Sequence, residues 1–207
     1  MKQKIQHYSD NNIPCFPGGQ FFEIAYLQGK SDAYLEEVKR TGFSHVEISD
    51  NCIDLTPKLK RDLIKNASSL GLIVLGETGK KLETSDAGEM IDDINNCLDA
   101  GAWKVFVEAA ELITDQGINL ELVKSLNKEV DFKHMIFEIP GQWMTGMTFD
   151  TQVSYWKMLV QTIGPDVNLA NIPAEDLLRL SLMRLGLGAD TTLTKGAFAL
   201  SKEGKLV

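Results

Sequence analysis

The sequence predicts an α/β fold of the (β/α)8 TIM-barrel type. Three observations carry that expectation. Short apolar segments alternate with helix-patterned ones at an even repeat of about 30 residues. No G-x-G-x-x-G follows any predicted strand, which argues against a doubly wound sheet with its site at one crevice. Carboxylates recur near the ends of strands: Glu47 in "HVEIS", Glu77 in "LIVLGET", Glu108 in "KVFVEAA" and Glu138 in "HMIFEIP", at steps of 30, 31 and 30 residues. Side chains placed this way converge only if the strands form a ring or a strongly curved sheet.

The predicted strands are 13–18 (IPCFPG), 45–49 (HVEIS), 72–77 (LIVLGE), 104–109 (KVFVEA), 135–139 (MIFEI) and 167–172 (VNLANI). Each is short and rich in Val, Ile, Leu or Phe, as suits parallel strands covered on both faces. Helices are expected between them. His7 falls in a polar N-terminal helix. Ser31 is expected to cap a helix that stops at Gly42. Thr56 as N-cap and Pro57 at the first helical position open another, which ends before Gly71. Residues 85–101 repeat the serine start and glycine stop, and further helices are expected at 118–130, 149–163 and 174–187. No low-complexity linker interrupts the chain, so residues 1–207 are expected to form a single barrel-type domain. Six strand–helix units are legible where a barrel has eight. Either the first two units are missing, or another chain covers the gap, or the sheet is not closed. A homo-oligomer is one expected way to cover the two open edges.

With 207 residues, 43% hydrophobic and 24% charged, the composition is that of an ordinary soluble globular protein. The net charge of −8 argues against a nucleic-acid surface, which needs a Lys/Arg footprint. A small anionic substrate fits only with local cations or a metal, because the global field repels it. Cys15, Cys52 and Cys97 are odd in number and match no zinc or redox spacing. They are expected to be reduced thiols in a cytoplasmic protein. No apolar run reaches the roughly 18 residues of a membrane span, and the N-terminus has no apolar core of a secretory signal.

Several glutamates at one mouth repel each other and are costly to bury. A divalent cation, nearby Lys or Arg, or raised pKa values would relieve them. Mg²⁺ suits carboxylate oxygens, especially with a phosphate substrate completing its shell. Lys80 and Lys81 follow the strand ending at Glu77, and a lysine beside a metal in a partly dry mouth is able to move protons. The plainer alternatives are strand-end glutamates that cap helices and a solvated lysine pair. Gly18 and Gly19 could present backbone N–H groups to an anion, or form an ordinary loop. Asn168 and Asn171, three apart, face opposite sides of a regular strand, so at most one enters the lumen unless the strand bulges. Arg184 falls on a helix. His7, His45 and His134 make no metal set, and His45 and His134 begin strands at the pole opposite the glutamates.

The segments "CFPGGQFFEIAYLQGK", "GFSHVEISD", "ETGKK", "DAGAWKVFVEAAE", "IFEIP", "VNLANIP" and "LMRLGLGADT", in this order along nearly the whole chain, resemble the phosphosulfolactate synthase family. The resemblance implies a (β/α)8 barrel and a Mg²⁺-dependent addition of sulfite to phosphoenolpyruvate, the first step of one route to coenzyme M. It implies that "MKQKIQHYSDNNIPCFPGG" corresponds to the family's second helix leading into its third strand, with the first two units absent. The last lysine of the family's E-x-G-x-K stretch is here Lys81, the implied acid, with Glu77 beside it. The remaining candidates are Glu47, Glu108 and Glu138 for the metal, and Gly18, Gly19, Lys80, Asn168, Asn171 and Arg184 for the substrate. Two departures stand out. The family's E-A-R-E-S-G reads "EAAELI", with Ala110 in place of arginine and Leu112-Ile113 in place of Ser-Gly. Its E-T-L-R-x-G-L-R-x-D-T reads "SLMRLGLGADT", with Ser181 and Gly188 in place of Glu and the second Arg, while Arg184 and Asp190 stay. Two anion clamps are lost. The readings that follow are a carbon–sulfur lyase of this type, on the same or an altered substrate, and a non-catalytic relative acting as a binding or stress-related protein.

Overall fold

The structure is a computed structural model that describes residues 2–80, 85–114, 117–142 and 144–187. The chain divides into two compact units, Met1–Ile136 and Phe137–Val207.

The first unit opens with helices α1 (Lys2–Asp10), α2 (Gly19–Leu27) and α3 (Ser31–Thr41). Strand and helix then alternate: β1 (His45–Ile48), α4 (Pro57–Ser69), β2 (Ile73–Thr78), α5 (Ala87–Asp99) and β3 (Lys104–Val107). A small antiparallel pair, β4 (Ile113–Thr114) with β5 (Gly117–Ile118), and helix α6 (Leu120–Glu129) follow. The strands β1, β2 and β3 are parallel neighbours in that order, with Glu47 opposite Leu75 and Glu77 opposite Phe106. Because side chains alternate along a strand, this register puts Glu47, Leu75, Glu77 and Phe106 on one face. The other face carries Val46, Ile48, Val74, Gly76, Val105 and Val107. Helix α5 packs on that second face: a Cβ on Gly76 would stand 3.0 Å from Cys97 Sγ, so glycine here lets helix and strand approach closely. Buried Ile64, Ile94, Cys97, Val105, Val107 and Leu126 form the core around it.

The helix signals mostly hold, with some corrections. Thr56 Oγ1 accepts from Leu59 N–H with Pro57 at the first helical position, and Gly71 beyond the end takes φ +81°. Helix α5 starts one residue later than its serine suggests. Asp86 is the cap, accepting from Gly88 N–H at 2.7 Å, with Glu89 completing a capping box. Ser31 is the first helical residue of α3 rather than its cap, which is Lys30. The expected strand at 13–18 is not formed. Pro14 and Pro17 each lack the amide N–H that a ladder needs, and the segment is irregular. Gly19, expected after that strand with its N–H facing an anion or in an ordinary loop, opens α2.

Strand β6 (Met135–Glu138) runs from the first unit into the second. The second unit continues with α7 (Phe149–Ile163), β7 (Leu169–Ala170) and α8 (Leu177–Arg184). β7 lies parallel to β6, with Glu138 opposite Ala170. The expected strand at 167–172 is shortened, because Asn171 turns into the left-handed region at φ +59°. Thr148 Oγ1 caps α7 by accepting from Thr151 N–H, and Phe137, Trp156, Leu159, Val167 and Met183 are buried in this unit. Among the described residues no helix is long and apolar enough to cross a membrane.

Candidate active site

The face of the β1–β2–β3 sheet that bears glutamates ends in a buried polar network. It begins with Glu23, on the inner side of α2 and 3% exposed. Its carboxylate accepts from Ser49 Oγ (2.6 Å) and Asn51 N–H (3.0 Å) on one oxygen and from Cys52 N–H (3.1 Å) on the other. Three donors on one buried carboxylate fix the loop that follows β1 and fasten α2 to it. Gly19 makes that contact possible: an added Cβ would stand 2.4 Å from both Glu47 Oε1 and Ser49 Oγ. The first turn of α2 thus lies against the Glu47 carboxylate, where N–H groups favour negative charge.

The loop carries Asn51 to the ends of the next two strands. Its Nδ2 donates to Glu77 Oε1 at 2.7 Å and also to Glu108 Oε2. Glu77 is the last residue but one of β2 and Glu108 follows β3. Both are buried, and each offers a carboxylate oxygen within 4.8 Å of the other's. Two buried carboxylates this close are unfavourable unless positive charge or donors offset them.

Lys60 ties the network from the helix side. Its ammonium, 1% exposed, donates to Asp50 Oδ1 (2.8 Å), Asp93 Oδ2 (2.7 Å) and the Glu77 backbone carbonyl (2.6 Å). All three N–H donors are therefore used. Burial alone would lower the lysine pKa, but Cys97, Asp93 and Asp50 outweigh it and hold the pKa above its ordinary value. At neutral pH the two aspartates do this, because burial, with Asp93 and Asp50 adding to it against Lys60, pushes the Cys97 thiol itself up to about 12. A group raised in the folded state from 9.0 keeps its stabilising effect below pH 9 and loses it as pH climbs toward the folded value. Thermal midpoints followed by circular dichroism are expected to fall as pH rises above 9, and to fall less between 9 and 10.5 in Cys97→Ser, before Lys60 itself contributes.

The lysine and glutamate after β2 are also engaged. Lys80 Nζ donates to the carbonyls of Asp50 (2.6 Å) and Ile53 (3.1 Å) and lies 3.4 Å from Asp50 Oδ2. Glu111, buried after β3, accepts from Lys80 N–H (3.0 Å) and from Ser85 N–H (3.0 and 3.1 Å). Gly79, at φ +98°, passes so close that a Cβ would stand 2.7 Å from Glu111 Cγ.

Of the sequence candidates, the first unit brings Glu77 and Glu108 together. Glu47 faces Gly19, Lys80 is bound into the loop after β1, and Gly18 is an exposed N-cap residue with open space around it. Lys81 lies outside the described residues. In the second unit Glu138 ends β6, half-buried, and Asn168 and Asn171 flank β7. Arg184 is not the solvated helix-surface arginine its position suggests: Nη2 donates to the Val167 carbonyl at 2.8 Å, and burial lowers its pKa against the pull of Asp166. Sequence reasoning missed Glu23, Asp50, Asn51, Lys60 and Asp93. Lys60 had a signal: with Leu63, Ile64 and Ala67 it occupies positions i, i+3, i+4 and i+7 of the buried stripe of α4.

The family model for (2R)-phospho-3-sulfolactate synthase matches residues 1–190. The phosphosulfolactate synthase of Methanocaldococcus jannaschii is 37% identical over 204 residues, covering 92% of this chain and 76% of that protein. That of Methanothermobacter thermautotrophicus is 34% identical over 196 residues, covering 92% and 74%. A solved structure from Burkholderia cenocepacia J2315, described as a phosphonomutase, superposes with a TM-score of 0.56 at 13% identity, covering 87% of this chain and 79% of that one. That likeness concerns the fold alone and agrees with an α/β, TIM-barrel-type class.

Proposed function

The chain belongs to the (2R)-phospho-3-sulfolactate synthase family, and from that premise we propose that it joins sulfite to phosphoenolpyruvate with the help of Mg²⁺. The buried pair Glu77–Glu108 carries the reading. It offers hard oxygen donors, close together and shielded from water, beside a network in which the described ammonium groups of Lys60 and Lys80 bind Asp50 and its surroundings. That donor set suits Mg²⁺ and not a soft metal. Glu77 and Glu108 would hold the ion, with Glu138 at the end of β6 as the proposed third ligand. Bound there, Mg²⁺ supplies a Lewis acid that neutralises negative charge on the substrate carboxylate.

The chain's own residues do the rest. The sulfur lone pair of sulfite forms a bond to the methylene carbon, and the double-bond electrons move toward the carboxylate. Lys81 is the proposed donor of the proton that then reaches the phosphate-bearing carbon. Glu111 fixes Lys80 and Ser85, the described residues on either side of that segment, by their amide N–H groups. Asn168, Asn171 and Arg184 are proposed contacts for the substrate anions. With Ala110 and Gly188 where the family carries arginine, phosphoenolpyruvate is expected to bind weakly, since each lost charged hydrogen bond is worth about 1.5–3 kcal/mol. The test is to incubate the full chain with Mg²⁺, sulfite and phosphoenolpyruvate and follow the sulfonated product by mass spectrometry. Product that requires all three components supports the reading; none at saturating substrate contradicts it.

A further inference from the structure

We infer that Asn51 is an oxygen ligand of the divalent cation, its side-chain amide turning over when the ion binds. The inference rests on the cation reading of Glu77 and Glu108 and adds a residue that neither strand spacing nor family likeness singled out.

The Asn51 side chain is 4% exposed and its two ends are in opposite situations. Nδ2 donates to Glu77 Oε1 and Glu108 Oε2. Oδ1 is buried and has no hydrogen-bond partner among the described residues. A buried amide oxygen without a donor is an unusual cost. Among the described residues, the orientation of this amide is therefore held by the two carboxylates and not from its oxygen end.

Amide oxygen and nitrogen exchange places by a half-turn about the last side-chain bond, with almost no change of shape. Turned over, Oδ1 stands where Nδ2 now stands, beside both carboxylates. Without a cation that arrangement is repulsive. With one, it is a cluster of three hard oxygens, the donor set that Mg²⁺ prefers. The N–H donors of Asn51 thus occupy a place beside both carboxylates that a cation could take. The turn sacrifices no bond at the oxygen end, and the Asn51 backbone stays fixed because its N–H is held by Glu23.

The test is Mg²⁺ titration of the full chain by calorimetry and by side-chain amide NMR. The wild type is expected to bind, and the Asn51 amide resonances, identified by their loss in Asn51→Asp, are expected to move as Mg²⁺ is added. Asn51→Ala is expected to bind about 10–100-fold more weakly, in the range for lost support of a metal site. Asn51→Asp, which keeps an oxygen at the site and adds charge, is expected to bind at least as tightly as wild type, and it decides the matter if the alanine variant does not fold. Wild-type binding with unmoved Asn51 resonances, or an alanine variant that binds as tightly or more tightly, overturns the role of Asn51 and leaves the cation reading standing. A wild type that takes up no Mg²⁺ overturns both.

Discussion

Lys60→Met is expected to destabilise the first unit by about 3–5 kcal/mol, the cost of leaving buried charges without their partner. The ammonium is 1% exposed and meets Asp50, Asp93 and the Glu77 carbonyl at 2.6–2.8 Å. Methionine fills the volume but offers no donor, so one buried and one half-buried carboxylate and a strand-end carbonyl lose a bond together. Against a typical domain stability of about 5–15 kcal/mol this is a large fraction. Urea denaturation should show a lower midpoint at unchanged slope. Adding Asp93→Leu to Lys60→Met should cost less than the sum of the single changes, because part of the penalty is the uncompensated charge. A single variant within about 1 kcal/mol of wild type would mean that the ammonium does not hold the ends of β1 and β2.

Glu77→Gln is expected to lower turnover roughly 10³-fold while leaving the fold intact, since a metal-bound carboxylate supports several kcal/mol of transition-state charge stabilisation. Glutamine has the same shape, and the Glu77 carbonyl that Lys60 binds belongs to the backbone. The change therefore removes charge from the pair with Glu108 without disturbing the network beneath it. Steady-state kinetics alongside a thermal melt check both halves. A rate within tenfold of wild type, or a collapsed melting transition, contradicts the assignment.

The strands with Glu47, Glu77, Glu108 and Glu138 at or near their ends were legible because a buried parallel strand is a short apolar run, and an acid near its end stands out. The helices with their own stop signals were equally legible: Gly42, Gly71 and Gly101 adopt the positive φ that ends α3, α4 and α5. The segment 13–18 looked like a strand by composition, and only the missing amide hydrogens of Pro14 and Pro17 argued otherwise. Helix α2 was hidden because its apolar residues fall on both faces, with Phe22 buried and Phe21, Ile24 and Leu27 exposed. The pair β4–β5 was too short to show any alternation. The site was half legible. Spacing found the carboxylates, but Glu23, Asn51 and Lys60 act through contacts 26 to 57 residues away, or through the buried side of a helix, and no local pattern marks their partners.

The proposed chemistry depends on Glu77 and Glu108 holding a hard divalent cation. Calorimetric titration of Mg²⁺ into the full chain at neutral pH tests this most directly, with the double variant Glu77→Gln, Glu108→Gln as the comparison. Saturable uptake by the wild type, lost in the double variant at an unchanged thermal midpoint, is the predicted result. No uptake by the wild type, or equal uptake by both proteins, would contradict it.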